Sequence, residues 1–158
     1  MRSAWYDHEL VDVVARRMGL SARQVEQVDE QHGGWLAETF EAMLSVPTVR
    51  ENVYVCQLIE TIEELAAKGE CILVGRGAAH ILPPETTFRV RLAAPLRDRI
   101  ERLRRTMGLG FIDAKRRIEA TDQRRLDFIR SHFQRDPREP QHYDLAINCA
   151  RFAPADCA

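Results

Sequence analysis

The residues best suited to chemistry in this sequence are arginines. Four of them stand out as candidates: Arg76, Arg124, Arg125 and Arg130. The planar guanidinium group offers paired N–H donors that match the oxygens of a phosphate. Phosphoryl transfer needs such groups, because negative charge spreads over the oxygens of the transferred phosphoryl. The arginines therefore indicate a site for a phosphate-bearing ligand.

The charge distribution supports an anionic ligand without requiring one. Residues 97–138 hold 13 basic and 7 acidic side chains, whereas residues 1–70 hold 6 basic and 13 acidic ones. A cluster of positive charge attracts anions. The alternative is a solvated helix face in which Asp122 and Asp127 pair with neighbouring arginines. The sequence pattern leaves both readings open.

Arg76 lies in a glycine-rich turn within the stretch CILVGRGAAHIL, residues 71–82. The apolar run at its start predicts a short buried strand, so Arg76 would stand at the strand's carboxyl end, where open α/β sheets bind ligands. A solvated arginine in an ordinary turn is the alternative. A dinucleotide-binding fingerprint is disfavoured, because His80 stands where a small residue is required.

Asp7 is the candidate carboxylate. It follows Trp5 and Tyr6, which predict one more short strand. At a strand end the carboxylate would face the same crevice as Arg76, or it would cap the helix that begins at His8. The two roles are compatible.

The elements that must position these residues alternate between helix and strand. Helices are predicted at 8–18, 21–31, 35–44, 49–68, 95–107 and, as one helix or a broken pair, 112–133. Strands are predicted at 5–6, 71–74, 87–93 and 145–149, with a loop at Pro83-Pro84. In the helix 49–68 the residues expected to face inward are Val53, Cys56, Leu58 or Ile59, and Ile62 or Leu65. This alternation predicts an α/β fold with a parallel sheet.

Composition sets the wider limits. A chain of 158 residues fits one domain. No apolar run approaches the length of a membrane span, and the N-terminus lacks the apolar segment of a signal peptide. The four cysteines are scattered and the five histidines show no metal spacing. We therefore expect a cytoplasmic protein with reduced cysteines and no metal site of its own.

A different class of function is suggested by ARRMGLSARQV, residues 15–25, which is similar to a DNA-binding helix-turn-helix. The surrounding residues 1–70 are net negative, which opposes binding to a polyanion. Nucleic acid is therefore an unlikely partner.

Five stretches together resemble the cytidylate kinase-like family, a branch of the P-loop nucleoside monophosphate kinases. They are WYDHEL, GLSARQVEQVDE, LAAKGECILVGRGAAHIL, FRVRLAAPLRDRIERL and DQRRLDFIRSHFQRDPREPQHYDLAIN. The resemblance implies a three-layer P-loop kinase fold, with a parallel sheet between helices, that transfers phosphoryl from Mg-ATP to a nucleoside monophosphate. It implies that Asp7 and Arg76 contact the acceptor. Arg124, Arg125 and Arg130 would belong to a lid at about 111–138.

The sequence departs from the family in two places. Gly77 stands where cytidylate kinases have an aspartate that helps to read the nucleotide, so the base is left open. No segment matches G-x-x-x-x-G-K-[ST], the phosphate-binding loop. We therefore expect a single incomplete domain, residues 1–158, in which a first strand, phosphate loop and helix of roughly 25 residues are missing. Such a chain would be inactive alone; the alternative is a non-catalytic nucleotide-binding or regulatory module working as a homodimer.

Overall fold

A computed structural model of the chain describes residues 4–19 and 51–152. The chain divides into two compact units, Met1–Pro83 and Pro84–Ala158. The boundary falls within the Pro83-Pro84 pair that the sequence predicts as a loop. None of the helices in the described ranges is long and apolar enough to cross a membrane.

The first unit contains one pair of parallel strands. Its elements are β1 (Ala4–Tyr6), α1 (His8–Arg17), α2 (Glu51–Ala67), β2 (Cys71–Leu73) and α3 (Ala78–Ile81). Strand β1 pairs with β2 in parallel, with Ala4 opposite Cys71 and Tyr6 opposite Leu73. The pairing continues past the strands, because the Val74 amide donates to the Tyr6 carbonyl at 3.0 Å. The short strand predicted at Trp5 and Tyr6 is confirmed.

Helices α1 and α2 pack against each other and form the core of this unit. The buried side chains recur every three or four residues, which places them on one stripe of each helix. They are Leu10, Val11, Val14 and Ala15 on α1, and Tyr54, Val55, Leu58, Ile62 and Leu65 on α2. At the rim, the Arg17 guanidinium donates to the Glu64 carboxylate, with Nη1 3.0 Å from Oε1.

The second unit contains the other parallel pair and two long helices. Its elements are β3 (Val90–Ala93), α4 (Leu96–Met107), α5 (Phe111–Phe133) and β4 (Leu145–Asn148), with short 3-10 turns at Pro84–Thr86 and Pro140–His142. Strand β3 pairs with β4 in parallel, from Val90 opposite Leu145 to Ala93 opposite Asn148. The predicted parallel pairing is therefore confirmed within each unit, and the three-layer arrangement stays a prediction.

Helices α4 and α5 form a hairpin around Ile100, Ala114 and Ile118. Helix α4 ends at Gly108, whose left-handed backbone (φ 67°) favours glycine. Across the hairpin, Arg99 donates two hydrogen bonds to the Asp122 carboxylate at 2.6 and 2.7 Å. Such a paired contact fixes the register of one helix against the other.

Two predictions about these elements need correction, and one alternative that the sequence left open is decided. Strand β3 begins at Val90 rather than at residue 87, because β4 begins only at Leu145 and offers no strand partner earlier. The stretch 112–133 lies in one continuous helix. On α2, Val53 and Cys56 are exposed, and Tyr54 faces inward in their place.

The predicted helices at 21–31 and 35–44 lie outside the described residues. So does most of the segment 15–25 that is similar to a helix-turn-helix. The DNA-binding alternative therefore stays a prediction.

Candidate functional site

The first candidate site lies at the carboxyl ends of β1 and β2. Asp7 directly follows β1, and Arg76 lies three residues beyond the end of β2. Because the two strands are parallel, their carboxyl ends meet at one edge of the pair. The structure therefore brings the two predicted ligand-binding residues to the same edge.

The turn that carries Arg76 has an unusual backbone. Gly75, Arg76 and Gly77 all lie in the left-handed region, with φ of 72°, 53° and 76°. Glycine adopts this region freely, whereas another L-residue is destabilised by roughly 1–2 kcal/mol. Strain of this kind is concentrated at functional sites, where the surrounding structure over-determines the conformation. The turn then feeds into α3, since the His80 amide donates to the Gly77 carbonyl at 2.7 Å.

Arg76 is half-buried and interacts electrostatically with two polar side chains. Burial lowers the pKa of the Arg76 guanidinium, while Tyr54 and Asp7 act in the opposite direction. Tyr54 is fully buried on α2, and burial raises the pKa of its hydroxyl, which the Arg76 charge opposes. A carboxylate, a guanidinium and a phenol therefore form one cluster, the strand-end cluster of Asp7, Arg76 and Tyr54.

The second role considered for Asp7 is wrong. Asp7 occupies the N-cap position of α1, but its side chain makes no capping hydrogen bond. Its carboxylate instead contributes to the electrostatic environment of Arg76. An opposite charge within a half-buried cluster attracts the carboxylate more strongly than a solvated helix end does.

Tyr54 was missed by sequence reasoning. Its signal was its spacing: Tyr54, Leu58, Ile62 and Leu65 recur at intervals of three and four along α2. Val53 and Cys56 are also apolar and define a second possible inward face of the helix, although both are exposed. The apolar pattern alone therefore did not identify Tyr54 as buried.

The three arginines predicted to belong to a lid, Arg124, Arg125 and Arg130, lie on α5 in the second unit, and their surroundings differ. Arg124 is half-buried, and its Nη2 lies 3.5 Å from Thr121 Oγ1. Arg125 is exposed. Arg130 donates from Nη2 to Asp136 Oδ2 at 2.7 Å, just beyond the helix end.

Asp136 is the centre of a second cluster that the sequence did not single out. Its carboxylate accepts from Arg130 and also from the backbone and side chain of Arg138, with Arg138 Nη2 2.6 Å from Oδ2. These hydrogen bonds, chiefly those from Arg138, hold the pKa of Asp136 well below its ordinary value. The carboxylate is thus ionised at neutral pH. We call these three residues the arginine fork.

The resemblance implies Mg-ATP as phosphoryl donor. The 158 residues contain no glycine-rich loop followed by a lysine and a hydroxyl residue. Within the described ranges, no group of three His, Cys, Asp or Glu side chains could hold a metal ion. The 158 residues therefore supply no phosphate-loop motif for Mg-ATP, and no chemical step is assigned to it.

Comparison with known proteins gives matches of two kinds. A model of the cytidylate kinase-like family matches residues 1–151. A cytidylate kinase from Methanopyrus kandleri is 31% identical over 99 residues, covering 57% of this chain and 51% of that protein. The chain thus spans about half the length of that relative. A uronate isomerase from Corynebacterium glutamicum is 31% identical over 78 residues, which are 15% of its length.

The fold is also similar to a solved structure. An uncharacterized protein from Eubacterium ventriosum superposes with a TM-score of 0.58 at 15% identity, covering 89% of this chain and 80% of that one. At that identity the likeness concerns the fold alone, and it supports an α/β arrangement of short parallel strands and helices.

Proposed function

Because the chain belongs to the cytidylate kinase-like family, we propose that it binds a nucleoside monophosphate at the strand-end cluster. The observation that carries the proposal is the meeting of Asp7 and Arg76 at one edge of the β1–β2 pair, in electrostatic contact. Open parallel sheets bind ligands at such carboxyl ends. Small-molecule kinases of this kind take phosphorylated acceptors.

The residues of the cluster have distinct roles in this proposal. Arg76 binds a phosphate oxygen, because a half-buried guanidinium attracts a dianion more strongly than a solvated one does. Asp7 accepts hydrogen bonds from sugar hydroxyls or from a base amine. The left-handed turn and the neighbouring Tyr54 hold Arg76 in place before the ligand arrives. Such pre-organisation lowers the entropy lost on binding.

Arg124, Arg125 and Arg130 form the lid part of the proposal. Their guanidinium groups would stabilise the charge that spreads over a transferred phosphoryl. A longer protein with a phosphate-binding loop would complete the reaction with Mg-ATP as donor. In that form, the three-layer kinase fold and a cytoplasmic location are the expected context.

Because the 158 residues contain no G-x-x-x-x-G-K-[ST] motif, we propose that this chain alone binds a monophosphate without turnover. The non-catalytic binding or regulatory module remains the second candidate, and the reason to keep it is that the 158 residues contain no phosphate-loop motif. The two candidates share the same acceptor site and differ only in phosphoryl transfer.

The first experiment compares nucleoside monophosphates with the corresponding nucleosides by isothermal titration calorimetry, for the wild type and for Arg76→Gln. Charged hydrogen bonds contribute about 1.5–3 kcal/mol, so we expect the variant to bind monophosphates roughly tenfold to a hundredfold more weakly. Arg16→Gln is the matched control in the same unit, because Arg16 is exposed and, within the described residues, its recorded hydrogen bond goes to the Asp12 carbonyl of its own helix. It should change affinity less than about twofold.

Two results would contradict the proposal. Equal affinity for nucleosides and monophosphates would exclude phosphate recognition by Arg76. A phosphoryl transfer assay with Mg-ATP and all four monophosphates should show no product above background with the 158-residue chain. Turnover there would refute the claim that the chain is inactive alone.

A further inference from the structure

The arginine fork places two cationic side chains on one carboxylate oxygen. Arg130 Nη2 and Arg138 Nη2 both donate to Asp136 Oδ2, at 2.7 and 2.6 Å. Arg138 adds bonds to Oδ1 from Nε and from its backbone amide, each at 2.9 Å. Two guanidinium groups repel each other at this separation, so the ionised carboxylate between them is what allows their approach. The fork still carries one net positive charge.

The segment that contains Asp136 and Arg138 is also held by side chains of β3 and of the residues before β4. Arg91 of β3 donates from Nη1 to the Arg138 carbonyl at 2.7 Å. The Arg91 guanidinium also lies over the Tyr143 ring, 5.6 Å from its centroid. The Tyr143 hydroxyl donates to the Pro137 carbonyl at 2.8 Å. Contacts from β3, from α5 and from the residues before β4 therefore fix the backbone on which the fork stands.

The donors of the fork are only partly used. Within the described residues, the hydrogen bonds engage Nη2 of Arg130 and Nε and Nη2 of Arg138. A guanidinium has five N–H donors, so Nη1 of each group is left for a further acceptor. The two arginine side chains are 48% and 62% exposed, whereas Asp136 is 19% exposed. The cationic edges thus reach solvent while the carboxylate lies behind them.

We propose that Arg130 and Arg138, held side by side by Asp136, form a binding site for a phosphate group. In this site the arginines contact the ligand and Asp136 is a positioning residue. Of these three residues, the resemblance assigned a role to Arg130, whereas Asp136 and Arg138 fell within the lid range without a role of their own. The inference rests on the proposed function, since the phosphate of a bound nucleotide is the ligand of this chemistry, although free phosphate would be recognised by the same groups.

The site is tested with the full chain and inorganic phosphate as the probe. Titration is followed by the arginine Nε–H signals in the NMR spectrum, which report on each guanidinium separately. We expect signals of Arg130 and Arg138 to shift together with one dissociation constant. Arg138→Gln should weaken phosphate binding about tenfold, the loss of one charged hydrogen-bonding group.

Arg135→Gln is the matched control for Arg138→Gln. Arg135 is exposed and directly precedes Asp136 in the same segment, and its replacement removes the same charge. It should weaken phosphate binding less than about twofold. Equal effects of the two variants, or no phosphate binding by the wild type, would overturn the proposal. Should Arg138→Gln fail to fold, Arg138→Lys keeps the charge but loses the fork geometry, and it should weaken binding as well.

The positioning role of Asp136 has its own comparison. Asp136→Asn and Asp127→Asn remove the same charge, but Asp127 accepts its hydrogen bond from Gln123 of its own helix and lies outside the arginine fork. If Asp136 holds the arginines in place, Asp136→Asn binds phosphate more weakly than Asp127→Asn. If Asp136 instead competes with the phosphate, Asp136→Asn binds it more tightly than Asp127→Asn, and the positioning role is wrong.

Failure of this inference can be separated from failure of the proposed function. Repeating the titrations with a nucleoside monophosphate distinguishes a nucleotide phosphate from the free anion. If Arg76→Gln weakens monophosphate binding and Arg138→Gln does not, the strand-end cluster binds the monophosphate and the arginine fork does not. The opposite pattern leaves the phosphate site at the fork and refutes the strand-end cluster.

Discussion

Arg76 has a left-handed backbone conformation that its side chain does not favour. Its φ of 53° lies between two glycines that adopt the same left-handed region without strain. A side chain is therefore held in an unfavourable backbone conformation where the ligand is proposed to bind. At such a position, the stability lost to the backbone conformation can be separated from the affinity gained from the side chain.

This separation can be measured with two substitutions. Arg76→Ala removes the guanidinium and keeps the strain, whereas Arg76→Gly removes both. We expect Arg76→Gly to be more stable than Arg76→Ala by about 1 kcal/mol in urea unfolding, although both lose monophosphate affinity.

Glu70 provides the control, because its φ of 48° is also left-handed and it lies outside the strand-end cluster. Glu70→Gly should likewise exceed Glu70→Ala in stability, with no loss of ligand affinity. Equal stability of Arg76→Gly and Arg76→Ala would mean that the turn is not strained in solution.

At the residue scale, the sequence could place Asp7 and Arg76 but not their neighbours. Both follow short apolar runs, so their position at strand ends could be read from local pattern. Tyr54 could not be identified, since its contact with Arg76 depends on how α2 packs beside β2. The same holds for Asp136, whose partner Arg130 lies six residues earlier across a helix end.

At the element scale, the α4–α5 hairpin is the clearest test of packing. Ile118 is buried in its core, whereas Ile112, on the same helix, is 71% exposed. We expect Ile118→Ala to lower the free energy of unfolding by about 2–5 kcal/mol, because it removes buried methyl groups and leaves a cavity. Chemical denaturation followed by far-UV circular dichroism measures this loss.

Ile112→Ala is the matched substitution. An exposed side chain loses little burial, so its effect should stay within about 0.5 kcal/mol. A large effect of Ile112→Ala would show that this end of α5 is covered in solution. Similar small effects of both variants would contradict the packing of the hairpin.

Within the described residues, the helices were largely predictable from sequence and the ends of the strands were not. The stripe on α4 and the glycines after it gave that helix its limits. The start of β3 depends on where its partner β4 begins, and the residues around position 87 contain no information about that distant strand. On α2 the apolar residues occupy more than one face, so periodicity alone could not decide between Val53 and Tyr54.

At the scale of the whole molecule, the charge asymmetry follows the division into units. The first unit, residues 1–83, holds 7 basic and 13 acidic side chains, a net charge of −6, and the second, residues 84–158, holds 16 basic and 11 acidic, a net charge of +5. The proline pair at the boundary was visible in the sequence as a loop. That the segments on either side form separate compact units was not, because a two-residue loop is equally common inside one domain.

The parallel pairing of β3 with β4 also determines the order in which the second unit can fold. Arg89 and Asp144, bonded where the pairing starts, are 55 residues apart in the chain. Closing so long a loop is entropically unfavourable, so distant strands pair late unless the intervening chain is already compact. The α4–α5 hairpin lies between them, and the contacts that hold it span shorter stretches of chain, such as the 23 residues between Arg99 and Asp122.

We therefore expect the hairpin to form first and to bring the strands together. Pulsed hydrogen exchange during refolding should show the amides of α4 and α5 protected before those of β3 and β4. Protection of the strands at the same time or earlier would rule out this order. If it holds, the arginine fork, which joins the end of α5 to the chain before β4, is assembled only in the last stage of folding.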